Sequence, residues 1–209
     1  FYSRDELEEI AEVCVREQIW VISDEIYEKL LYDGQRFTSI ASLNEKIKKL
    51  TVVVNGFSKA FAMTGWRLGY AAGPREIIAA CSKIQSHNTS NATSFVQKAG
   101  VVALAECGME IERMRQEFER RRNYVVYRLR ALPQVSCNSP AGAFYVMPNV
   151  AAYLDKEFQG APIRNTYGLS YYLLKEAHVA LVPGEAFGTD AHLRISFATS
   201  MERLEEGTR

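Results

Sequence analysis

The sequence predicts an α/β fold in which a mostly parallel sheet is followed by a smaller α+β unit. Three short apolar runs, at 19–24, 50–55 and 68–72, have the length and composition of buried parallel strands. Helical patterns alternate with these runs, as they do in α/β layers. After residue 108 the pattern changes to a long charged helix followed by short strands, which is typical of a separate α+β unit.

The helices are predicted from their ends and from the spacing of their apolar residues. Ser3 and Glu6 have the spacing of a capping box, so we expect the first helix from about residue 4 to residue 18. Pro74 begins a second helix, because proline is tolerated in a first turn. The segment 109–132 predicts one long helix rich in Arg and Glu, whose charges indicate a solvated face with i,i+4 pairs.

The last part of the chain predicts the smaller unit. We expect a helix over 167–177 and strands near 135–137, 143–147, 179–182 and 193–197. The boundary is expected within the long helix near Arg113, which divides the chain into domains 1–113 and 114–209.

The composition excludes several classes of partner. Lys plus Arg and Asp plus Glu both number 25, so nothing indicates a nucleic acid or an anionic membrane as partner. No apolar run is long enough to span a bilayer. Four scattered cysteines and three separated histidines favour free thiols in a reducing compartment, and no metal site is expected. We therefore expect a cytoplasmic protein, with organellar targeting left open because the amino terminus is missing.

A lysine directly after a predicted strand is the first candidate for chemistry. Lys59 follows the run 50–55, and ligands of open α/β sheets bind at the carboxyl ends of the strands. A partly desolvated lysine is an amine nucleophile suited to Schiff-base chemistry, and the guanidinium of Arg67 is suited to grip a phosphate. On these residues alone, a surface lysine is the commoner alternative.

The run from Gly56 to Gly69 resembles the pyridoxal-phosphate attachment motif of class I/II aminotransferases of fold type I. By that resemblance, Lys59 is the catalytic residue and carries the cofactor as a Schiff base. The same resemblance implies that Arg67 binds the cofactor phosphate and that Ser58 lies near it.

The segment 21–27 resembles the family segment at the end of a strand. The resemblance implies that Asp24 pairs with the pyridine nitrogen of the cofactor and that Tyr27 bonds its phenolic oxygen. A carboxylate at that nitrogen keeps it protonated, so the ring can act as an electron sink. Taken alone, Asp24 also fits a turn residue and Tyr27 a core aromatic residue.

The segment 192–198 resembles the late family strand whose arginine binds the substrate α-carboxylate. Arg194 is that residue by resemblance, and a bidentate pair with a carboxylate would orient the amino acid. The segments 140–145 and 182–188 are also similar to the family pattern, so the resemblance covers essentially the whole chain.

The resemblance implies an aminotransferase that moves an amino group between aspartate or glutamate and a 2-keto acid by ping-pong kinetics. The segments 88–94 and 179–184 are most similar to the aspartate/prephenate aminotransferase branch. The family also implies a homodimer and small-molecule amino-acid and keto-acid substrates. Members carry an additional amino-terminal half, so we expect this chain to be the carboxyl-terminal half, incomplete at its end and inactive alone.

Two alternatives stay open on the sequence. A carbon–sulfur lyase or an aminocyclopropane-carboxylate synthase-like enzyme shares the same lysine, aspartate, tyrosine and arginines, and fold does not determine reaction. A non-enzymatic sensor domain that binds pyridoxal phosphate on this fold is the second alternative.

Overall fold

Two units make up the chain in the computed structural model, Phe1–Met114 and Arg115–Arg209. The structure describes residues 1–158 and 160–209. The elements of the first unit are α1 (Arg4–Arg16), β1 (Val21–Asp24), α2 (Glu45–Lys48), β2 (Thr51–Gly56), β3 (Gly69–Ala72), α3 (Arg75–Asn88) and α4 (Ser94–Glu106). Helix α5 (Gly108–Arg130) begins in the first unit and ends in the second. The remaining elements are β4 (Tyr145–Val146), β5 (Lys156–Phe158), β6 (Ala161–Ile163), α6 (Thr166–Ala177), β7 (Val182–Pro183), β8 (Leu193–Ser196) and α7 (Met201–Gly207).

The first sheet has the order β1-β2-β3. Strands β1 and β2 are parallel, with Asp24 opposite Val54. Strand β3 is antiparallel to β2, with Gly69 opposite Gly56. The chain between β2 and β3 contains no crossover helix, and parallel neighbours need such a crossover, so the third strand returns antiparallel. The predicted alternation of helices with strands is present up to β2 and after β3. The run 68–72, predicted as a buried parallel strand, instead forms an exposed antiparallel strand that follows β2 without a crossover helix.

Helix α1 confirms the predicted capping box. The Ser3 hydroxyl accepts a hydrogen bond from the Glu6 backbone N–H at 3.3 Å, and the Glu6 carboxylate accepts one from the Ser3 N–H at 2.6 Å. The bond from the Ser3 N–H, followed by an interaction with the Ser3 side chain, lowers the pKa of the Glu6 carboxyl. The inner face of α1 packs through Ala11 and Cys14 against Ile40 and Ile47, which stabilises the helix on the first sheet.

Helix α4 was not predicted as a separate element. Thr93 occupies its N-cap without a side-chain capping hydrogen bond, and Val96 at the N3 position cannot complete a capping box. The helix is apolar on several faces: Val96 and Ala103 are buried, whereas Phe95 and Leu104 are exposed. Apolar residues on more than one face give no single amphipathic stripe from which to predict a helix.

The second unit contains a sheet of order β4-β8-β7 in which both pairs are antiparallel. The strand predicted near 179–182 is displaced, because β7 is Val182–Pro183 and overlaps the prediction only at Val182. The strand predicted near 135–137 is an isolated bridge between Ser136 and Asn149. The β5-β6 hairpin was not predicted. A core of Val150, Ile163, Leu169 and Leu193 joins the sheet to α6.

Helix α5 confirms the predicted i,i+4 ion pairs, because Arg115 pairs with Glu119 and Arg121 pairs with Glu117. Hydrogen bonds from Arg120 and Arg121 lower the pKa of the Glu117 carboxyl to about 2. No helix within the described ranges is long and apolar enough to cross a membrane.

One arginine of α5 differs from the expected solvated face. Arg122 is only 2% exposed. Its Nη1 donates to the carbonyl oxygen of Pro140 at 3.0 Å, and its Nε and Nη2 donate to the Asn123 side chain at 3.0 and 2.8 Å. The buried guanidinium therefore fixes the segment that leads into β4.

We expect Arg122→Ala to lower the free energy of unfolding by at least about 3 kcal/mol, because it empties a buried volume and leaves the Pro140 carbonyl without its donor. Arg120→Ala on the same helix is the matched control. It removes only an exposed ion pair with Glu117, so its cost should be below about 1 kcal/mol. Urea unfolding of the full-length protein measures both, and equal costs would contradict the structural role of Arg122.

Candidate active site

The loop between β2 and β3, residues 57–68, carries Lys59. Its two ends meet where the Phe57 N–H donates to the Leu68 carbonyl at 3.1 Å. Inside the loop, the Met63 N–H donates to the Phe57 carbonyl at 3.1 Å. The loop is therefore closed by backbone hydrogen bonds, although it contains no regular strand or α-helix.

The underside of this loop is an apolar cluster. Phe57 and Met63 are buried with Ala103 of α4, and Phe61 and Leu68 pack against them. The rings of Phe57 and Phe61 have their centroids 5.0 Å apart. The cluster attaches the loop to α4, so the position of the lysine depends on apolar packing beneath the loop.

The backbone on either side of Lys59 is held by further hydrogen bonds. The Thr64 hydroxyl donates to the Ser58 carbonyl at 2.8 Å, and the Ala62 N–H donates to the Lys59 carbonyl at 3.2 Å. Ser58 and Lys59 are both half-buried. A fixed backbone limits the conformations available to the lysine, which favours a defined position for its amine.

Two loop residues adopt the left-handed backbone region that non-glycine residues rarely occupy. Ala62 has φ 52° and Arg67 has φ 55°. Such conformations cost about 1 kcal/mol or more and concentrate at functional sites. The Arg67 side chain is exposed, and its Nη1 donates to the Thr64 carbonyl at 2.8 Å.

Asp24 ends β1 and begins the turn that contains Tyr27. The Asp24 carboxylate is exposed, and its Oδ1 accepts a hydrogen bond from the Ile26 N–H at 3.2 Å. Tyr27 is half-buried, and its carbonyl accepts a hydrogen bond from the Leu30 N–H at 2.9 Å.

The neighbouring acid, Glu25, lies buried beside this turn. Its Oε1 accepts hydrogen bonds from Ser23 at 3.1 Å and Ser39 at 2.6 Å. Burial, together with the charges of Glu28 and Glu25, raises the pKa of the Tyr70 hydroxyl.

Five of the six predicted site residues belong to one edge of the first sheet. Asp24 and Tyr27 lie at and after the carboxyl end of β1. Ser58 and Lys59 follow the carboxyl end of β2, its parallel neighbour. Arg67 precedes β3, and an antiparallel strand begins at the edge where its neighbour ends. An amine, a carboxylate, a phenol, a hydroxyl and a guanidinium thus share the edge where α/β sheets bind ligands.

Arg194, the sixth residue, belongs to the second unit. It lies in β8, the central strand, and is half-buried. Its guanidinium carbon lies 4.5 Å from the ring centroid of Tyr145 and 4.4 Å from that of Phe187. Sequence reasoning did not identify these two aromatic residues, although both lie in segments that match the family pattern.

The described residues contain no group of three or more His, Cys, Asp or Glu side chains that could hold a metal ion. Cys14, Cys81, Cys107 and Cys137 are free thiols.

Comparison with known proteins identifies the family. The family model "Aminotransferase class I and II" matches residues 1–209. The chain belongs to this aminotransferase family. It is similar to the aspartate aminotransferase of Geobacillus stearothermophilus, with 45% identity over 98% of this chain and 51% of that protein. A bifunctional aspartate aminotransferase and glutamate/aspartate-prephenate aminotransferase of Petunia hybrida is 48% identical over 98% of this chain and 43% of that protein.

Structural similarity agrees with this family. The crystal structure of an aspartate aminotransferase from Rhizobium meliloti aligns with a TM-score of 0.95 and 43% identity, over 99% of this chain and 52% of that one. The expected type I fold of pyridoxal-phosphate-dependent aminotransferases is thereby confirmed. The chain spans about half the length of the relatives that it matches.

The closure of the Lys59 loop can be tested with two glycines of the aminotransferase motif. A Cβ at Gly56 would lie 2.9 Å from the Leu68 carbonyl oxygen and 3.1 Å from the Gly69 Cα, both backbone atoms. We expect Gly56→Ala to lower the free energy of unfolding by about 1–3 kcal/mol, because the base of the loop must move.

Gly65→Ala is the control for that variant, because a Cβ at Gly65 has no atom within 4 Å. Its effect should stay within about 0.5 kcal/mol. Urea unfolding of the full-length protein, followed by tryptophan fluorescence, compares the two. If Gly65→Ala lowered the free energy of unfolding as much as Gly56→Ala does, the close approach of Gly56 to the Leu68 backbone would not be the cause of the effect.

Proposed function

We propose that the full-length protein is a pyridoxal-phosphate-dependent aminotransferase that moves an amino group between aspartate or glutamate and a 2-keto acid. One observation carries the proposal. Lys59 lies on a hydrogen-bonded loop at the carboxyl end of β2, beside the strand that ends at Asp24. The family match over the whole chain and the names of its relatives support the same reaction.

The side chains at the sheet edge fit the cofactor by their chemistry. Lys59 has the amine for attachment, and Arg67 and Ser58 have donors for a phosphate. Asp24 has a carboxylate suited to a ring nitrogen, and its Oδ1 accepts a hydrogen bond from the Ile26 N–H. Tyr27 has a hydroxyl suited to the phenolic oxygen. When bound, pyridoxal phosphate supplies an aldehyde that reacts with amines and a ring that withdraws electrons.

The roles of the protein groups follow from their acid–base chemistry. The Asp24 carboxylate holds a proton at the ring nitrogen. Arg194 binds the α-carboxylate of the amino acid through paired N–H groups and orients the Cα–H bond. Nζ of Lys59 removes the Cα proton as general base and delivers a proton in the return step. Amino-acid and keto-acid half-reactions alternate at these groups, so ping-pong kinetics are expected.

Large apolar side chains are exposed in the first unit, which supports the proposal that this chain is active only as part of a longer protein. Ile22 on the sheet is 78% exposed and Phe95 on α4 is 68% exposed. Layers of this kind normally bury such side chains. We propose that the chain alone is inactive and that the full-length protein works as a homodimer, as its family resemblance implies. A cytoplasmic location is part of the same proposal and is supported by the four free cysteines.

Amino-group transfer tests the proposed reaction directly. The full-length protein, supplied with pyridoxal phosphate, aspartate and 2-oxoglutarate, should form oxaloacetate and glutamate. Lys59→Arg should lower kcat by at least about 1000-fold, because it removes the nucleophile and general base. Lys48→Arg, at an exposed lysine of α2, should leave kcat unchanged.

The products also separate the alternative functions. Ammonia with an eliminated side chain would indicate a lyase, and formation of a cyclic amino acid would indicate a cyclopropane synthase. Uptake of the cofactor without turnover of any amino acid would indicate a sensor. Each of these results would contradict the proposed aminotransferase activity.

Asp24 provides a second test of the cofactor assignment. Asp24→Asn removes the charge that holds the proton at the ring nitrogen, so we expect kcat to fall on the order of 100-fold. The absorption maximum of the bound cofactor should shift as well. Asp5→Asn, at an exposed acid in the first turn of α1, is the control and should change neither. A kcat for Asp24→Asn close to that of the parent would contradict the assigned role.

A further inference from the structure

A buried glutamate lies next to Asp24 and has no part in the proposed reaction. Glu25 is 8% exposed, and among the described residues it is the one acidic side chain that is buried. Asp24, its neighbour in sequence, is exposed. Because acidic side chains are rarely buried without partners, the contacts of Glu25 indicate what its burial achieves.

The first contact places Glu25 on one face of the first sheet. Successive side chains of a strand point to opposite faces, so Ser23 and Asp24 of β1 lie on opposite faces of the sheet. The Ser23 hydroxyl donates to Oε1 of Glu25 at 3.1 Å. The Glu25 carboxylate therefore holds the end of β1 from the face opposite Asp24.

The second contact joins the end of β1 to a distant segment. The Ser39 hydroxyl, 14 residues later, donates to the same Oε1 of Glu25 at 2.6 Å. Ser39 directly precedes Ile40, which is buried in the core with Ala11 and Cys14 of α1. Through Ser39, the carboxylate connects the end of β1 to the packed core of the first unit.

The backbone of Glu25 is held as well. Its N–H donates to the Val54 carbonyl of β2 at 2.9 Å, and its carbonyl accepts from the Glu28 N–H at 3.0 Å. One residue further, the Ile26 N–H donates to Oδ1 of Asp24 at 3.2 Å. A displacement of Glu25 would therefore move both the Asp24 carboxylate and the N–H group that orients it.

We propose that Glu25 is a positioning residue that holds the Asp24 carboxylate in place from the opposite face of the sheet. This proposal rests on the proposed function, in which Asp24 pairs with the ring nitrogen of the cofactor. Glu25 acts through the hydrogen bonds that it accepts from Ser23 and Ser39. A displacement of about 1 Å at a reacting group can lower a rate on the order of 100-fold, so such a support matters for catalysis.

Glu25→Ala and Glu25→Gln test the proposal in the full-length, cofactor-loaded protein. Glu25→Ala removes the acceptor, so we expect kcat to fall at least about tenfold. The absorption maximum of the bound cofactor should shift in the same direction as in Asp24→Asn. Glu25→Gln keeps an acceptor oxygen at the same position, so its kcat should stay within about threefold of the parent and its absorption maximum should be parental.

Ser39→Ala is a milder variant that keeps the test available if Glu25→Ala does not fold. It removes one donor and leaves the carboxylate, so kcat should fall about threefold or more. In the cofactor-free full-length protein, amide hydrogen exchange in the segment 24–28 should become at least about threefold faster. Ser86→Ala is the matched control, because the Ser86 hydroxyl donates only to the Lys83 carbonyl on the exposed helix α3. It should change neither quantity.

A double variant tests whether Glu25 acts through Asp24. Residues that act as one unit are not additive, whereas independent residues are. In an Asp24→Asn background, Glu25→Ala should therefore lower kcat less than about threefold and leave the absorption maximum where Asp24→Asn places it. An equal loss of kcat in both backgrounds would show that Glu25 does not act through Asp24, and the proposal would be wrong.

The same variants separate failure of this proposal from failure of the proposed function. If Asp24→Asn lowers kcat and shifts the absorption maximum while Glu25→Ala and Ser39→Ala are parental, the positioning role of Glu25 is wrong and the role of Asp24 stands. If Asp24→Asn changes neither quantity, the role of Asp24 is wrong and the proposal is wrong with it. A loss of kcat in Glu25→Gln as large as that in Glu25→Ala would also overturn the proposal.

Discussion

The position of the Lys59 loop at the carboxyl end of β2 depends on the burial of two of its side chains, Phe57 and Met63. They pack under the loop with Ala103 of α4, and the hydrogen bond between Phe57 and Leu68 closes the loop above them. A long lysine side chain loses much of its rotamer entropy when it is held in one place. An anchored backbone reduces the number of further torsions that must be ordered, so in the proposed function the apolar cluster lowers the entropy cost of positioning Lys59.

The second unit places Arg194 beside aromatic side chains. Arg194 lies in the central strand of its sheet, and its guanidinium contacts the ring of Tyr145 in β4 and the ring of Phe187 in the turn after β7. The backbone of the Lys59 loop is held by hydrogen bonds. In the proposed function, the Lys59 amine takes and returns a proton, and the Arg194 guanidinium orients a carboxylate.

Much of this organisation could be predicted because its signals are local. The capping box of α1 depends on two residues three positions apart, and the structure contains both of its hydrogen bonds. The strands around Asp24 and Lys59 were recognisable as short apolar runs, and the attachment motif lies in one continuous segment.

What could not be predicted depends on contacts between distant segments. Helix α4 has no side-chain cap, and its second apolar face gives no periodic signal. Arg122 belongs to a charged stretch whose composition is that of a solvated helix face. Only the position of the Pro140 carbonyl, 18 residues later, explains its burial. The contacts of Tyr145 and Phe187 with Arg194 require the register of β4 on β8 and the turn after β7, which no local pattern specifies.

The most direct test of the central claim is covalent attachment at Lys59. The full-length protein and this chain alone would each be incubated with pyridoxal phosphate, reduced with borohydride, digested and analysed by mass spectrometry. We expect a pyridoxyl adduct on Nζ of Lys59 in the full-length protein and a weaker adduct or none in the chain alone. A full-length protein that binds the cofactor but has its adduct at another lysine, or has no adduct, would contradict the assignment of Lys59.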